Sequence, residues 1–259
     1  MSLVSLMYHD VVDPDRATAS GFPSADAALY KVAPAVFEAH LRAVGATGAL
    51  RVAPPAEALP RHGVLLHFDD GGASALPETA DLLERHGWRG IFHVTTGRIG
   101  SPGFVTEADL RELARRGHGI GSHSCSHPPR MSELPEHEIR REWKESLARL
   151  EQLLGQQVPF ASVPGGFTSR QVERLAAEEG VRFLFTSEPC TCVRKEGTCA
   201  VLGRYAVRRD TSAVEAAAMA RGDLVPRYRQ WAVWQLKKPL KRLGGERWLR
   251  LRARLLARR

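Results

Sequence analysis

The sequence has only four cysteines in 259 residues. That is too few for a disulfide framework in a chain of this length, and in a reducing compartment they stay thiols. No apolar run reaches the 18 residues that a membrane-spanning helix needs. Residues Met1 to Met7 lack both the basic start and the long apolar core of a secretory signal, so a cytoplasmic location is expected. No glycine-rich fingerprint follows the first candidate strand, which leaves a dinucleotide-binding reading without a foothold. Internal repeats and low-complexity segments are also missing.

What is present is a folded composition, with 43% hydrophobic and 25% charged residues. These proportions suit one large globular domain and exclude wholesale disorder. The net charge of +8 is unevenly spread. Residues 221–259 carry 13 Lys and Arg against Asp223 and Glu246, while residues 1–220 carry 24 basic and 27 acidic groups. The basicity therefore belongs to the tail, and no nucleic-acid motif accompanies it.

Short apolar runs alternate with amphipathic stretches, the pattern of a parallel sheet with crossover helices. Seven strands are predicted: Leu3–Met7, Val64–Phe68, Gly90–Val94, Gly119–Gly121, Phe160–Val163, Arg182–Phe185 and Val201–Val207. Helices are predicted over Pro77–His86, over Thr106–Arg116 with a Thr106/Asp109 capping box, from Ser132 to Gly155, and over Ser169–Glu179. The polar loop from Asp13 to Lys31 is expected to edge a cleft. A closed barrel over residues 1–215 with a basic helical tail over 216–259 is the architecture this implies.

In such barrels chemistry gathers where strands end. Those positions hold Tyr8-His9-Asp10, Asp69-Asp70-Gly71-Gly72, His123-Ser-Cys-Ser-His127-Pro128 and Pro164-Gly165-Gly166. Adjacent carboxylates behind an apolar strand are costly unless a cation or proton compensates them. Two imidazoles four positions apart on a tight turn can converge on one ion, and a carboxylate from another strand completes a three-ligand site with open positions. Each piece alone has a plain structural reading: the Asp pair as a turn and helix cap, the histidines as satisfied local groups. Their coincidence on successive strand ends favours the metal.

Phe68-Asp69-Asp70-Gly71 and His123-Ser-Cys-Ser-His127-Pro128 resemble the first two motifs of the polysaccharide deacetylase family, the NodB-homology or carbohydrate esterase 4 group. The resemblance covers about residues 1–207. It implies an α/β fold, an irregular (β/α)7 barrel, and metal-dependent removal of N-acetyl groups from amino sugars. Position by position, it makes Asp69 the catalytic base and Asp70, His123 and His127 the ligands of one divalent ion. Zinc is expected, with iron, cobalt or manganese also suited.

Two motifs depart from the family. The third, Arg-x-Pro followed by an aromatic, stands here as Ser162-Val-Pro164-Gly165-Gly166, so its arginine is missing and Arg204 is the candidate substitute. The late Leu-x-His motif is missing too, since no histidine follows His137. Tyr8-His9-Asp10 resembles the N-terminal Tyr-His segment of circularly permuted branches, including deacetylases of poly-N-acetylglucosamine, which makes His9 the candidate general acid. Pro164, Gly165, Gly166 and Arg204 are expected at the substrate, and a backbone N–H after Gly71 or Gly72 at the oxyanion.

The expected substrate is an N-acetylated glycan, either a polysaccharide such as an exopolysaccharide or a lipid-linked precursor. A catalytically silent sugar-binding relative and a deacylase of another small amide are the alternatives. Cys190, Cys192 and Cys199 read as a loop of reduced thiols, or as a metal or disulfide clip. Residues 228–259 read as two basic amphipathic helices broken near Gly244-Gly245, and the tail over 221–259 as lying on an anionic membrane from the cytoplasmic side or packed on the barrel. The sequence leaves the oligomeric state open.

Overall fold

The computed structural model describes residues 2–54 and 58–236. Six parallel strands stand side by side in chain order: β1 (Leu3–Tyr8), β2 (Gly63–Phe68), β3 (Gly90–Val94), β4 (Gly119–Ser122), β5 (Phe160–Ser162) and β6 (Phe183–Phe185). A single stretch of chain then closes the ring. Its first part, β8 (Cys199–Leu202), pairs in parallel with β6, and its second, β9 (Tyr205–Ala206), pairs in parallel with β1. These two pieces share the seventh strand position, so the (β/α)7 barrel expected from the sequence is present.

The expected strand Val201–Val207 is thus broken, and the break has a steric cause. A Cβ on Gly203 would lie 2.2 Å from the Glu188 carbonyl oxygen. The segment read as a thiol loop is instead a hairpin, with β7 (Val193–Glu196) antiparallel to β8 and Cys199 buried in the second strand.

Alternation along the strands sorts side chains into two layers. Val4, Leu6, Tyr8, Leu66, Phe68, Phe92 and Val94 face the helices and join the main core. Leu3, Leu65, Ile91, Phe160, Phe183, Phe185 and Leu202 form a second cluster inside the ring. With both faces buried, each strand reads as a nearly continuous apolar run, as parallel strands do.

Outside pack α2 (Pro34–Gly45), α3 (Asp81–Arg85), α4 (Glu107–Arg115), α5 (Glu136–Leu154), α6 (Arg170–Glu178) and α7 (Ala213–Arg221), while a single turn, α1 (Ala25–Ala28), lies in the long first loop. The capping box is formed: Asp109 N–H donates to Thr106 Oγ1 at 3.2 Å and Thr106 N–H to Asp109 Oδ2 at 2.8 Å. One expected start moves. Ser132 sits in a separate 3-10 turn, and α5 begins after Pro135, whose ring holds Leu134 extended and suits the helix entry.

Of the tail expected over 216–259, α7 already begins at Ala213 and buries Ala216, Met219 and Ala220 in the main core. A further helix runs over 224–236. It contains the start of the first of the two amphipathic helices expected over 228–259; the break near Gly244-Gly245 and the second helix lie outside the described residues.

Candidate active site

Asp69 continues the inward side of β2, while Asp70 is turned aside by a left-handed φ of 76°. Among the described non-glycine residues only Asp70, Ser124 (63°) and His127 (59°) have positive φ, and all three are at this site. Such conformations cost about 1–3 kcal/mol each and persist only where the surroundings impose them. For Ser124 and His127 that support comes from α5. Glu142 Oε2 accepts from the N–H groups of Cys125 and Ser126 at 2.9 and 2.7 Å, and Oε1 from Ser126 Oγ at 2.6 Å. Ser146 meets Ser122 Oγ at 2.7 Å, Ser122 Oγ accepts from Ser124 N–H, and Ser124 Oγ accepts from His127 N–H.

The turn brings His123 and His127 Nε2 to 3.4 and 3.5 Å from Asp70 Oδ1. One ligand atom from each of the three residues lies within 4.8 Å of the others. His123 Nδ1 stands 3.1 Å from the Ser162 carbonyl oxygen and 2.6 Å from its hydroxyl. A carbonyl can only accept, so Nδ1 carries a proton, and Nε2 is the nitrogen turned toward Asp70 and His127. Burial, aided by His123, pushes the His127 imidazole down to about 4, which leaves it neutral at ordinary pH. Two imidazoles and a carboxylate oxygen thus converge largely as acceptors, an arrangement that a divalent cation would relieve. The donor set fits such an ion.

Asp69 and Asp70 differ in their partners. Asp69 is 3% exposed, and burial alone would raise its carboxyl. Arg204, fully buried at the strand break, outweighs this and holds it well below the usual carboxylate range. The guanidinium grips both oxygens, Nη1 to Oδ1 at 2.7 Å and Nη2 to Oδ2 at 2.8 Å, while its Nε donates to Thr186 O at 3.2 Å. Ser162 Oγ donates to Asp69 Oδ1 at 3.2 Å, linking His123 to the carboxylate through one hydroxyl. The substitute arginine therefore sits beneath Asp69 and not on the cavity wall.

Above these residues opens a cavity of about 1060 Å³, lined by Asp69, Asp70, His123 and His127 and by His9 from the end of β1. His9 stacks on Tyr30 with centroids 4.5 Å apart, and its Nδ1 has no hydrogen-bond partner among the described residues. The loop from Asp13 to Lys31 does edge this cleft, contributing Phe22, Leu29 and Tyr30. Gly165 and Gly166 line it, whereas Pro164 is buried behind them. The N–H after Gly72, that of Ala73, is spent on the Gly103 carbonyl at 2.9 Å and is not available to an oxyanion. His67 and His93 lie inside the ring and meet each other at 3.1 Å.

Ser162 and Glu142 escaped the sequence reading, although each left a signal. Ser162 occupies an inward position at a strand end. Glu142 interrupts the apolar stripe Ile139, Trp143, Leu147, Leu150 of α5, where an acid needs a partner.

The sequence profile of the polysaccharide deacetylase family matches residues 56–184, about half of the chain. YxkH of Bacillus subtilis, which bears a polysaccharide deacetylase name, is 24% identical over 173 residues, 64% of this chain and 62% of its own length. The chain thus spans about three-fifths of that relative. Among solved structures, the Streptococcus pyogenes deacetylase PplD in complex with acetate superposes with a TM-score of 0.69 at 21% identity, covering 85% of this chain and 98% of that one. IcaB from Ammonifex degensii gives 0.69 at 20% identity, covering 85% and 97%. At these identities the likeness is one of fold.

Proposed function

The chain belongs to the polysaccharide deacetylase family, and from that premise we propose that it is a metal-dependent hydrolase that removes N-acetyl groups from an amino sugar in a polysaccharide or lipid-linked glycan precursor. The observation that carries the reading is the division of labour between adjacent aspartates. Asp70 faces two imidazoles, and Asp69 faces a guanidinium and a hydroxyl.

Amide hydrolysis needs a better nucleophile than water, a stabilised oxyanion and a protonated leaving amine. A divalent cation held by Asp70, His123 and His127, zinc or else iron, cobalt or manganese, would supply Lewis acidity to the acetyl carbonyl and to the attacking water. Asp69, kept ionised and aimed by Arg204 and Ser162, takes the proton that the water loses. His9, at the cavity wall, delivers a proton to the sugar nitrogen as the C–N bond breaks, so that acetate and a free amine leave. The contact of Arg204 with Asp69 favours an enzyme over a silent sugar-binding relative, because it restores the charge partner missing from the third motif. Residues 221–259, basic and rich in Leu and Trp, support contact with an anionic membrane surface.

The test is acetate release from N-acetylated oligosaccharides with metal content measured alongside. Asp70→Asn should lose bound metal and turnover together, whereas Asp69→Asn should keep the metal and lose turnover. Full activity in either variant would sink the assignment.

A further inference from the structure

The helix over 224–236 turns polar groups as well as Trp234 toward the barrel. Polar side chains face the barrel: Arg227 donates through Nε to Tyr205 Oη at 2.8 Å and through Nη2 to Thr191 Oγ1 at 2.9 Å. Gln230 pairs with both backbone groups of Ala206, at 3.1 and 3.0 Å. At about 100° per residue, the opposite side carries Leu224, Val225 and Tyr228, then Trp231 at its edge, and Leu236. Their exposures are 79%, 81%, 66%, 40% and 72%. Six of the nine large hydrophobic side chains exposed among the described residues lie on this one helix, the sixth being Val233.

A contiguous apolar stripe of this kind marks an interaction surface. The adjoining sequence decides which. Residues 237–259 carry ten Lys and Arg against Glu246 alone. A second copy of the chain would bring the same excess of cations to the contact, which like-charge repulsion opposes. An anionic bilayer instead takes up the apolar stripe and the adjoining cations together. Tyr228 and Trp231, stacked with centroids 5.4 Å apart, are also residue types that settle between headgroups and acyl chains.

We propose that the outward face of the helix over 224–236 docks on an anionic bilayer and seats the catalytic cavity at its surface. The orientation follows because the same helix walls that cavity with Arg229, Val233 and Trp234. One consequence rests on the deacetylase reading: the substrate class becomes an N-acetylated amino sugar carried on a membrane lipid, presented from the leaflet on which the protein sits.

Docking is tested with the full-length protein and phosphatidylcholine vesicles with and without phosphatidylglycerol, by co-sedimentation. The wild type should bind the anionic vesicles. The triple variant Val225→Ser, Tyr228→Ser, Leu236→Ser should bind them about tenfold or more less tightly, because those side chains are buried only at the membrane. Circular dichroism should be unchanged, since all three are exposed. Leu50→Ser, which removes an exposed leucine elsewhere, should bind like the wild type. Asp69→Asn should sediment like the wild type while losing turnover, which separates failure of docking from failure of the enzymatic reading. The proposal is overturned if the wild type ignores anionic vesicles or the triple variant binds undiminished. It is equally overturned if the wild type is a dimer in solution that the triple variant dissolves.

Discussion

Replacing Arg204 by methionine should have two coupled effects. The side chain is fully buried and holds both oxygens of a carboxylate that is itself 3% exposed. Breaking a buried pair by removing one partner costs about 3–5 kcal/mol, because an uncompensated charge stays behind. At roughly 2.1 cal/mol/K per residue, the unfolding entropy of a chain this long is about 0.5 kcal/mol/K, so Tm should fall by about 6–10 °C. With the guanidinium gone, burial is free to raise the Asp69 carboxyl, less of the base is ionised at a given pH, and kcat should drop by about 10²–10⁴. The acid limb of the pH–rate profile should move upward in step. Calorimetry on Arg204→Met, Asp69→Asn and the double variant checks the energetic half. The double variant should regain most of the lost stability, since no charge is left stranded. A single variant with wild-type Tm and turnover, or a double variant no more stable than Arg204→Met, would refute the reasoning.

Other consequences are open to direct measurement. Glu142→Ala removes the acceptor of three hydrogen bonds in the turn between His123 and His127, so metal affinity in a chelator competition should weaken by about 10–100-fold. Hydrogen exchange across residues 123–127 should quicken, and unchanged affinity would count against a positioning role. His67 and His93 are held neutral, well below 6.5, chiefly by burial. Stability is therefore full above the unfolded imidazole value and declines as pH falls below about 6.5, by about 1.4 kcal/mol per pH unit for each ring, until the folded value is reached. Denaturant titrations between those limits should show a flatter slope for His67→Leu/His93→Leu, and an identical slope would mean that the pair is not the source. His9→Ala should slow turnover on N-acetyl sugars with metal content intact; wild-type kinetics would return the proton-donor role to another group.

Much of the barrel was legible because its strands are short apolar runs whose ends carry polar residues, and because each helix has a physical stop or start, such as Gly155 with φ 65° or the Thr106 cap. Asp69, Asp70, His123 and His127 were legible for the same reason, since Asp69-Asp70 and His123 stand at strand ends and His127 lies in the turn behind His123. The links among them were not. Arg204 meets Asp69 across 135 positions, and nothing local in the sequence fixes that pairing. It depends on where Gly203 breaks the seventh strand, which is set by the approach of the Glu188 carbonyl. Ser162 is inconspicuous because a serine at a strand end carries no charge, and Glu142 because two of its three partners are backbone N–H groups, which no sequence pattern displays.

The altered third motif shows why strand position matters less than the interior layer. In a closed ring, inward side chains from several strands reach the same central volume. The requirement on Asp69 is for a buried bidentate donor, and a side chain as long as arginine can meet it from the closing strand as well as from β5. The altered motif also leaves two glycines behind Pro164. Gly165 and Gly166 both adopt left-handed φ, 63° and 70°, and a Cβ on Gly166 would stand 3.3 Å from the indole of Trp234 and from Ser187. The aromatic of the family motif would stand at Gly165, where a Cβ would lie 3.0 Å from the Pro129 carbonyl oxygen. Gly166 beside it leaves the ground that Trp234 takes, so that the helix over 224–236 becomes part of the cavity wall. The departure from the third motif and the approach of this helix to the site thus meet at one pair of glycines.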